Sequence, residues 1–476
     1  IAASTGLSPS AATYLWAGMP NLHDRSNTFM SKELREQLDL KTVQANLARA
    51  TISSIRDHRR MAVLEECARR GVSAMLDGSA ADVLVDAWVR IIGKRVAVPE
   101  SLIAEAGDAL SVTGQPATWL SVFAAPDESP QLATDGVYAL DRAGEVIRAS
   151  KPEPLIGQDK IVDPPVAFDS TVLLAAVQYL PFLYAELSVG DPLRASAARS
   201  HELLLQRLQN PALWFDGGAQ YLTGEESETF GRLLDGLGGQ QITNLVDNLR
   251  GVRVPGAAVF LSKQRAVLKI QPALIDAKAA PLVEKLVSSM RIHASYWTYG
   301  ALKYVRSPGL AQMMERIRDT PVPVGSWEQN PLLSVPGLVA KVAKKLDVSR
   351  DAAALYLQYL VLLWPTPKQL AIYNGWKPKQ LADAQAELVK HDLLVEAKRE
   401  RAQRAHFLPG GWEALKSPHP PMESWKAALY AVRDATGAPQ PPNQRFLALA
   451  PFHAMFEAAW DRIENDDTPR YDEVKR

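Results

Sequence analysis

At 476 residues the chain is too long for one ordinary core and predicts about three domains. Its 53 basic and 53 acidic side chains cancel, so no global positive field draws it to nucleic acid, and any such binding must come from a local patch. Hydrophobic content of 47% with 22% charged residues excludes disorder as the default, and the single Cys67 excludes an internal disulfide or multi-cysteine metal cluster.

A reducing cytoplasm is the expected location, and Cys67, inside a helical pattern, is expected to be a buried inert thiol. The longest apolar runs, residues 172–177 and 360–364, fall short of the ~20 needed to span a bilayer, so no membrane partner is expected. The chain opens on Ile1 without a signal-peptide pattern, as expected of a piece of a longer protein.

Residues 1–60 read as helical and helix-turn-helix-like: Ser8-Pro9-Ser10 starts one helix and Thr42 another. The 7–12 segment parallels 348–353, an expected weak repeat. Residues 61–113 continue helical, after a basic run at Arg56, His58, Arg59 and Arg60 that reads as a solvated face. Residues 114–165 turn rich in proline, glycine and acids, with a hairpin at 137–148, and are expected to be hairpin and linker. Residues 166–275 are expected to be helical with a small β element. There Tyr179, Phe182, Tyr184, Trp214 and Tyr221 are core candidates that could also line a ligand pocket, the basis of a small-molecule sensor alternative. The glycine run 235–240 lacks a phosphate-reaching lysine and a preceding strand, so it reads as a loop between helices. Residues 233–270, with a last helix at 240–249, form a further winged-helix candidate. Residues 276–345 read as a helical connector in which His293 sits between apolar and aromatic residues as a core histidine, and 321–336 is a proline-rich link.

Residues 346–416 carry the strongest pattern. An apolar helix stops at Pro365; Thr366-Pro367-Lys368-Gln369 caps a second helix ending at Asn374-Gly375. Lys377-Pro378 starts a third, with Leu381, Ala384 and Leu388 on one side and Lys379, Gln380, Asp383, Gln385 and Lys390 on the other. Extended segments at 395–398 and 405–408 flank a polar tip, 399–404. Helix, turn, helix and basic hairpin predict a winged helix. Residues 417–476 add C-terminal helices and a tail, so the fold class expected is mainly α, a multi-module helical protein with a winged helix and small β elements.

Asn374-Gly375-Trp376, Glu396-Ala397-Lys398-Arg399 and Phe407-Leu408-Pro409-Gly410-Gly411-Trp412 resemble the C-terminal part of large uncharacterised actinobacterial proteins labelled DNA-binding and encoded beside MoxR-type AAA+ ATPases. The resemblance covers roughly residues 333–430, with a weaker likeness at 5–48, and brings no catalytic residue with it. It implies duplex DNA or a MoxR-type AAA+ ATPase as partner.

No metal-ligand spacing, nucleophile elbow or kinase-type loop appears in the sequence, so no enzyme, metal or cofactor is expected. The DNA-binding expectation rests on Lys377, Lys379 and Gln380 at the start of the third helix, placed to meet base edges, and on Lys398, Arg399, Arg401 and Arg404 at the hairpin tip, placed to reach phosphate. The alternative is a protein-docking scaffold or adaptor in which these basic residues pair with Glu387, Glu396 and Glu400.

Overall fold

The computed structural model describes residues 1–16, 32–53, 55, 57–70, 77–110, 116–129, 131–132, 138–140, 142, 146–148, 171–243, 245–246, 249–289, 293–415, 420–430, 432–433, 439–440 and 450–470. It is mainly helical with small antiparallel sheets and divides into two units. The first comprises residues 1–105, 113–176 and 199–305; the second comprises 106–112, 177–198 and 306–476. Among the described residues no helix is long and apolar enough to cross a membrane.

The first unit opens with α1 (Ala2–Thr5) and α2 (Pro9–Trp16), the latter started by Ser8, whose Oγ accepts from Ala11 N at 3.2 Å. There follow α3 (Lys32–Gln37), α4 (Thr42–Ser53), α5 (Asp57–Arg69) and α6 (Ala80–Ile91). Leu7, Ala11, Leu15, Ala48, Ile52, Val63 and Trp88 from these segments share one core. Cys67 is half-buried beside that core, and burial pushes its thiol up from the ordinary value. After α7 (Glu100–Ala109), the expected linker starts instead with a buried helix, α8 (Pro116–Ala124), because Trp119, Leu120, Val122 and Phe123 have apolar neighbours to meet. The expected hairpin follows as β1 (Tyr138–Leu140) and β2 (Val146–Arg148); most of the remaining linker lies outside the described residues.

Beyond α9 (Thr171–Glu186) and α10 (Pro192–Leu208) comes a sheet. Its strands are β3 (Phe215–Tyr221), β4 (Gln240–Ile242), β5 (Arg250–Val254), β6 (Ala257–Leu261) and β7 (Arg265–Ile270). They pair antiparallel in the order β3-β7-β6-β5-β4. The expected helix at 240–249 is therefore corrected: its start is an edge strand. Gly239 and Gly251 let β4 and β5 approach, since a Cβ on Gly251 would lie 3.0 Å from Ile242 Cβ and one on Gly239 2.6 Å from Val252 Cγ1. Between β3 and β4, α11 (Gly224–Gly236) begins with a capping box, Thr223 Oγ1 accepting from Glu226 N and Glu226 accepting from Thr223 N at 2.8 Å. The glycine run thus leads from helix to strand, the reverse of a phosphate loop's order. The helices α12 (Ala280–Ser289) and α13 (His293–Val305) complete this unit; the side chain of His293 lies outside the described residues.

In the second unit α14 (Pro308–Asp319), α15 (Pro331–Ser334) and α16 (Pro336–Leu346) lead to α17 (Arg350–Val361), buried at every position from Ala352 on. A helix apolar on all sides belongs at the centre, and here it packs against α16 and α20 (Phe452–Glu464). The proline-rich link is no exposed spacer: Glu328, Gln329 and Asn330 within it are buried. Glu328 accepts from Arg194 at 2.7 Å, from Arg316 at 2.5 Å and from Tyr184 Oη at 3.0 Å, while Tyr184 Oη accepts from Phe452 N at 3.2 Å. Arg194 also lies over the Tyr184 ring, 5.0 Å from its centroid.

Candidate interaction surface of the second unit

The surface is built from α17, α18 (Pro367–Asn374), α19 (Pro378–Lys390) and the strands β8 (Val395–Glu396) and β9 (His406–Phe407), in the order the sequence pattern predicts. Ser349 caps α17, its Oγ accepting from Ala352 N at 3.2 Å. Thr366 caps α18, accepting from Gln369 N at 3.4 Å, and Gly375 ends it with φ +66, a left-handed turn that a side chain would oppose. Pro378 opens α19, whose Leu381, Ala384 and Leu388 are buried as the spacing predicts. Gln385, expected on the polar side, is buried too, because its amide donates to Tyr359 Oη at 3.0 Å.

Lys377, Lys379 and Gln380 are exposed where α19 begins. They border an open groove with Ser349, Asp351, Asp383, Ala384 and Glu387. Gln380 donates to Asp351 at 2.7 Å, and Glu387 accepts from Ser349 N at 2.6 Å and from its Oγ at 2.5 Å. The groove therefore carries two cations against three carboxylates. A polyphosphate backbone would meet net negative charge there.

The hairpin differs from expectation in what its cations touch. β8 and β9 pair Val395 with Phe407 and Glu396 with His406, and beyond them β10 (Trp412–Glu413) pairs with β11 (Met422–Glu423). Arg399 donates to the carbonyls of Gly410 at 3.1 Å and of Leu408 and Gly411 at 3.4 Å. Its guanidinium lies 4.7 Å from the Phe407 centroid and 5.6 Å from that of Trp412. Arg401 donates to the Leu415 carbonyl. Arg404 has only 2% of its side chain exposed and forms an ion pair with Glu423 at 2.7 Å, against the Phe407 and Trp412 rings. Lys398 alone of the four tip residues is an exposed cation without one of these carbonyl or carboxylate contacts. Arg404 thus cannot reach phosphate in this conformation, and Arg399 is half-buried: planar guanidinium groups gain more from rings, carbonyls and a carboxylate than from a loop tip in water.

Glu423 is the hub of this interior. Lys426 Nζ lies 2.8 Å from its carboxylate and donates to the Leu362 carbonyl at 2.7 Å; Tyr430 Oη donates to the Val361 carbonyl at 2.7 Å. These bonds satisfy carbonyls left over where α17 ends. Burial by itself would raise the Glu423 carboxyl, but the charges of Lys426 and Arg404 outweigh it and hold the group at about 2. Burial pushes the Lys426 ammonium down to about 8 against the pull of Glu423.

The resemblance motifs occupy structural positions. Asn374 and Gln358 exchange side-chain hydrogen bonds at 2.8 and 3.1 Å, and Trp376 is buried. Gly410 has φ +116 and a Cβ there would sit 2.7 Å from the Arg470 carbonyl oxygen; one on Gly411 would sit 2.6 Å from Ser424 Oγ. Of the candidate pocket aromatics, Tyr179, Phe182, Tyr184 and Trp214 are buried while Tyr221 is 82% exposed. Among the described residues no His, Cys, Asp or Glu side chains gather in threes as a metal site. Sequence reading missed Glu328, Glu423 and Lys426; the one local signal was a charge flanked by Met422 and Trp425. No family model, curated protein or solved structure matches the chain.

Proposed function

We propose that the chain is a non-enzymatic binding protein of adaptor type, whose residues 346–416 form a winged-helix module that docks another protein. What supports docking over DNA is one observation: the hairpin arginines meant for phosphate are engaged by Glu423 and by backbone carbonyls of the chain itself. Lys398 and Arg401 stay exposed at the hairpin, and α19 borders a groove of both charge signs, lined by Lys377 and Lys379 with Asp351, Asp383 and Glu387. Alternating signs give register and selectivity against a protein surface and little attraction for a uniform polyanion.

A MoxR-type AAA+ ATPase is the partner that the resemblance implies. Titration of the purified ATPase from the same genome into the chain tests it, with Lys377→Glu/Lys379→Glu expected to weaken binding at least tenfold. Equal binding by parent and variant removes α19 from the interface.

Duplex DNA is the second reading, favoured by the exposure of Lys377, Lys379 and Lys398. A gel-shift titration at two salt concentrations decides it: loss of these lysines should reduce the salt slope by ~1 for each phosphate contact removed. Absence of a shift at low salt rejects it.

A further inference from the structure

The tip of the β8–β9 hairpin is held in a conformation its backbone resists. Arg401 has φ 62 and Gln403 φ 54, two non-glycine residues in the left-handed region with one buried alanine, Ala402, between them. Nothing in local sequence chemistry asks for this, so tertiary contacts impose it. Those contacts are the Arg404–Glu423 pair and the carbonyls that take Arg399 and Arg401. The seat is imperfect, since Arg404 Nε is buried without an acceptor.

We propose that residues 399–404 are a strained clasp that Glu423 holds shut, and that opening it hands Arg399 and Arg404 to an acidic segment of a protein partner. The partner's chemistry follows from what the clasp binds when closed: a carboxylate, backbone carbonyls and aromatic faces, all groups that a polypeptide supplies. A carboxylate arriving from outside replaces Glu423 in kind and can also engage the Nε–H that Glu423 leaves without an acceptor. Strain released at Arg401 and Gln403 offsets part of the opening cost. The identity of the partner rests on the docking reading above; the clasp itself does not.

Two variants of opposite sign test the clasp in the full chain by amide hydrogen exchange. Gln403→Gly removes no contact of the clasp and relaxes the left-handed backbone, so the Ala397 and Ala402 amides should exchange roughly fivefold more slowly. Glu423→Gln should speed them at least tenfold relative to the α19 amides. Equal acceleration in α19 and the clasp, or no change with Gln403→Gly, overturns the proposal. Should Glu423→Gln fail to fold, the glycine variant decides alone.

An oligoglutamate peptide is the probe for the partner. Glu423→Gln should bind it about tenfold more tightly than the parent, and Gln403→Gly more weakly. A gain for duplex DNA and none for oligoglutamate overturns the acidic-segment assignment. Slower exchange with Gln403→Gly and faster exchange with Glu423→Gln, together with an ATPase that ignores Lys377 and Lys379, leave the clasp standing and reject only the docking face.

Discussion

Two buried carboxylates of the second unit have the same stoichiometry and different roles. Glu328 and Glu423 each face two cations, Arg194 with Arg316 and Arg404 with Lys426. Around Glu328 all groups come from helices and a buried link, and Tyr184 adds a hydroxyl, so the cluster is a strut inside a core. Around Glu423 one cation comes from a loop tip with two left-handed residues. Equal charge counts therefore do not imply equal rigidity; the segment that delivers the charge decides whether the pair can be released as a unit. The second cluster also withdraws Arg404 from solvent, one of the cations that a charge tally would assign to DNA.

The contrast can be broken first at the strut. Glu328→Gln should cost about 3–5 kcal/mol of unfolding free energy in urea titration, because it leaves Arg194 and Arg316 without a counter-charge. Glu423→Gln should cost less, roughly 1–3 kcal/mol, since opening of the hairpin returns Arg404 to solvent and Lys426, already pushed down to about 8, can lose its proton; equal costs would make both clusters struts.

The same residue sets an acid limb. The Glu423 carboxyl sits at about 2, below its ordinary 4.5, so its stabilisation is complete above about pH 4.5 and is lost as pH falls through that window. Stability of the parent should fall more steeply than that of Glu423→Gln between pH 4.5 and 2. Parallel curves would exclude Glu423 as the group responsible. Arg399→Ala should cost about 1–2 kcal/mol through lost ring and carbonyl contacts. Lys377→Ala and Lys379→Ala should change stability by less than about 0.5 kcal/mol, so that any lost binding reads as lost contact.

Helices α17 to α19 were legible because their signals are local: Ser349 and Thr366 as caps, Pro367 and Pro378 at first positions, Gly375 at an end. The hairpin was legible from its extended segments. By contrast, the pattern marks Trp214 and Tyr221 only as aromatics and gives no strand at β3, and it predicts a helix at β4, since a three-residue edge strand exists only by pairing with β5. The segment 321–336 reads only as a proline-rich connector because proline content says nothing about where Glu328 will find its arginines.

Local order, its starts and its stops, was written in the amino acids themselves, because a cap or a turn needs only residues within one helical turn. Which charges face water was decided by the tertiary structure alone. Arg404 meets Glu423 across 19 residues and Arg194 meets Glu328 across 134, and no count along the chain measures the desolvation cost that each pair's attraction must offset.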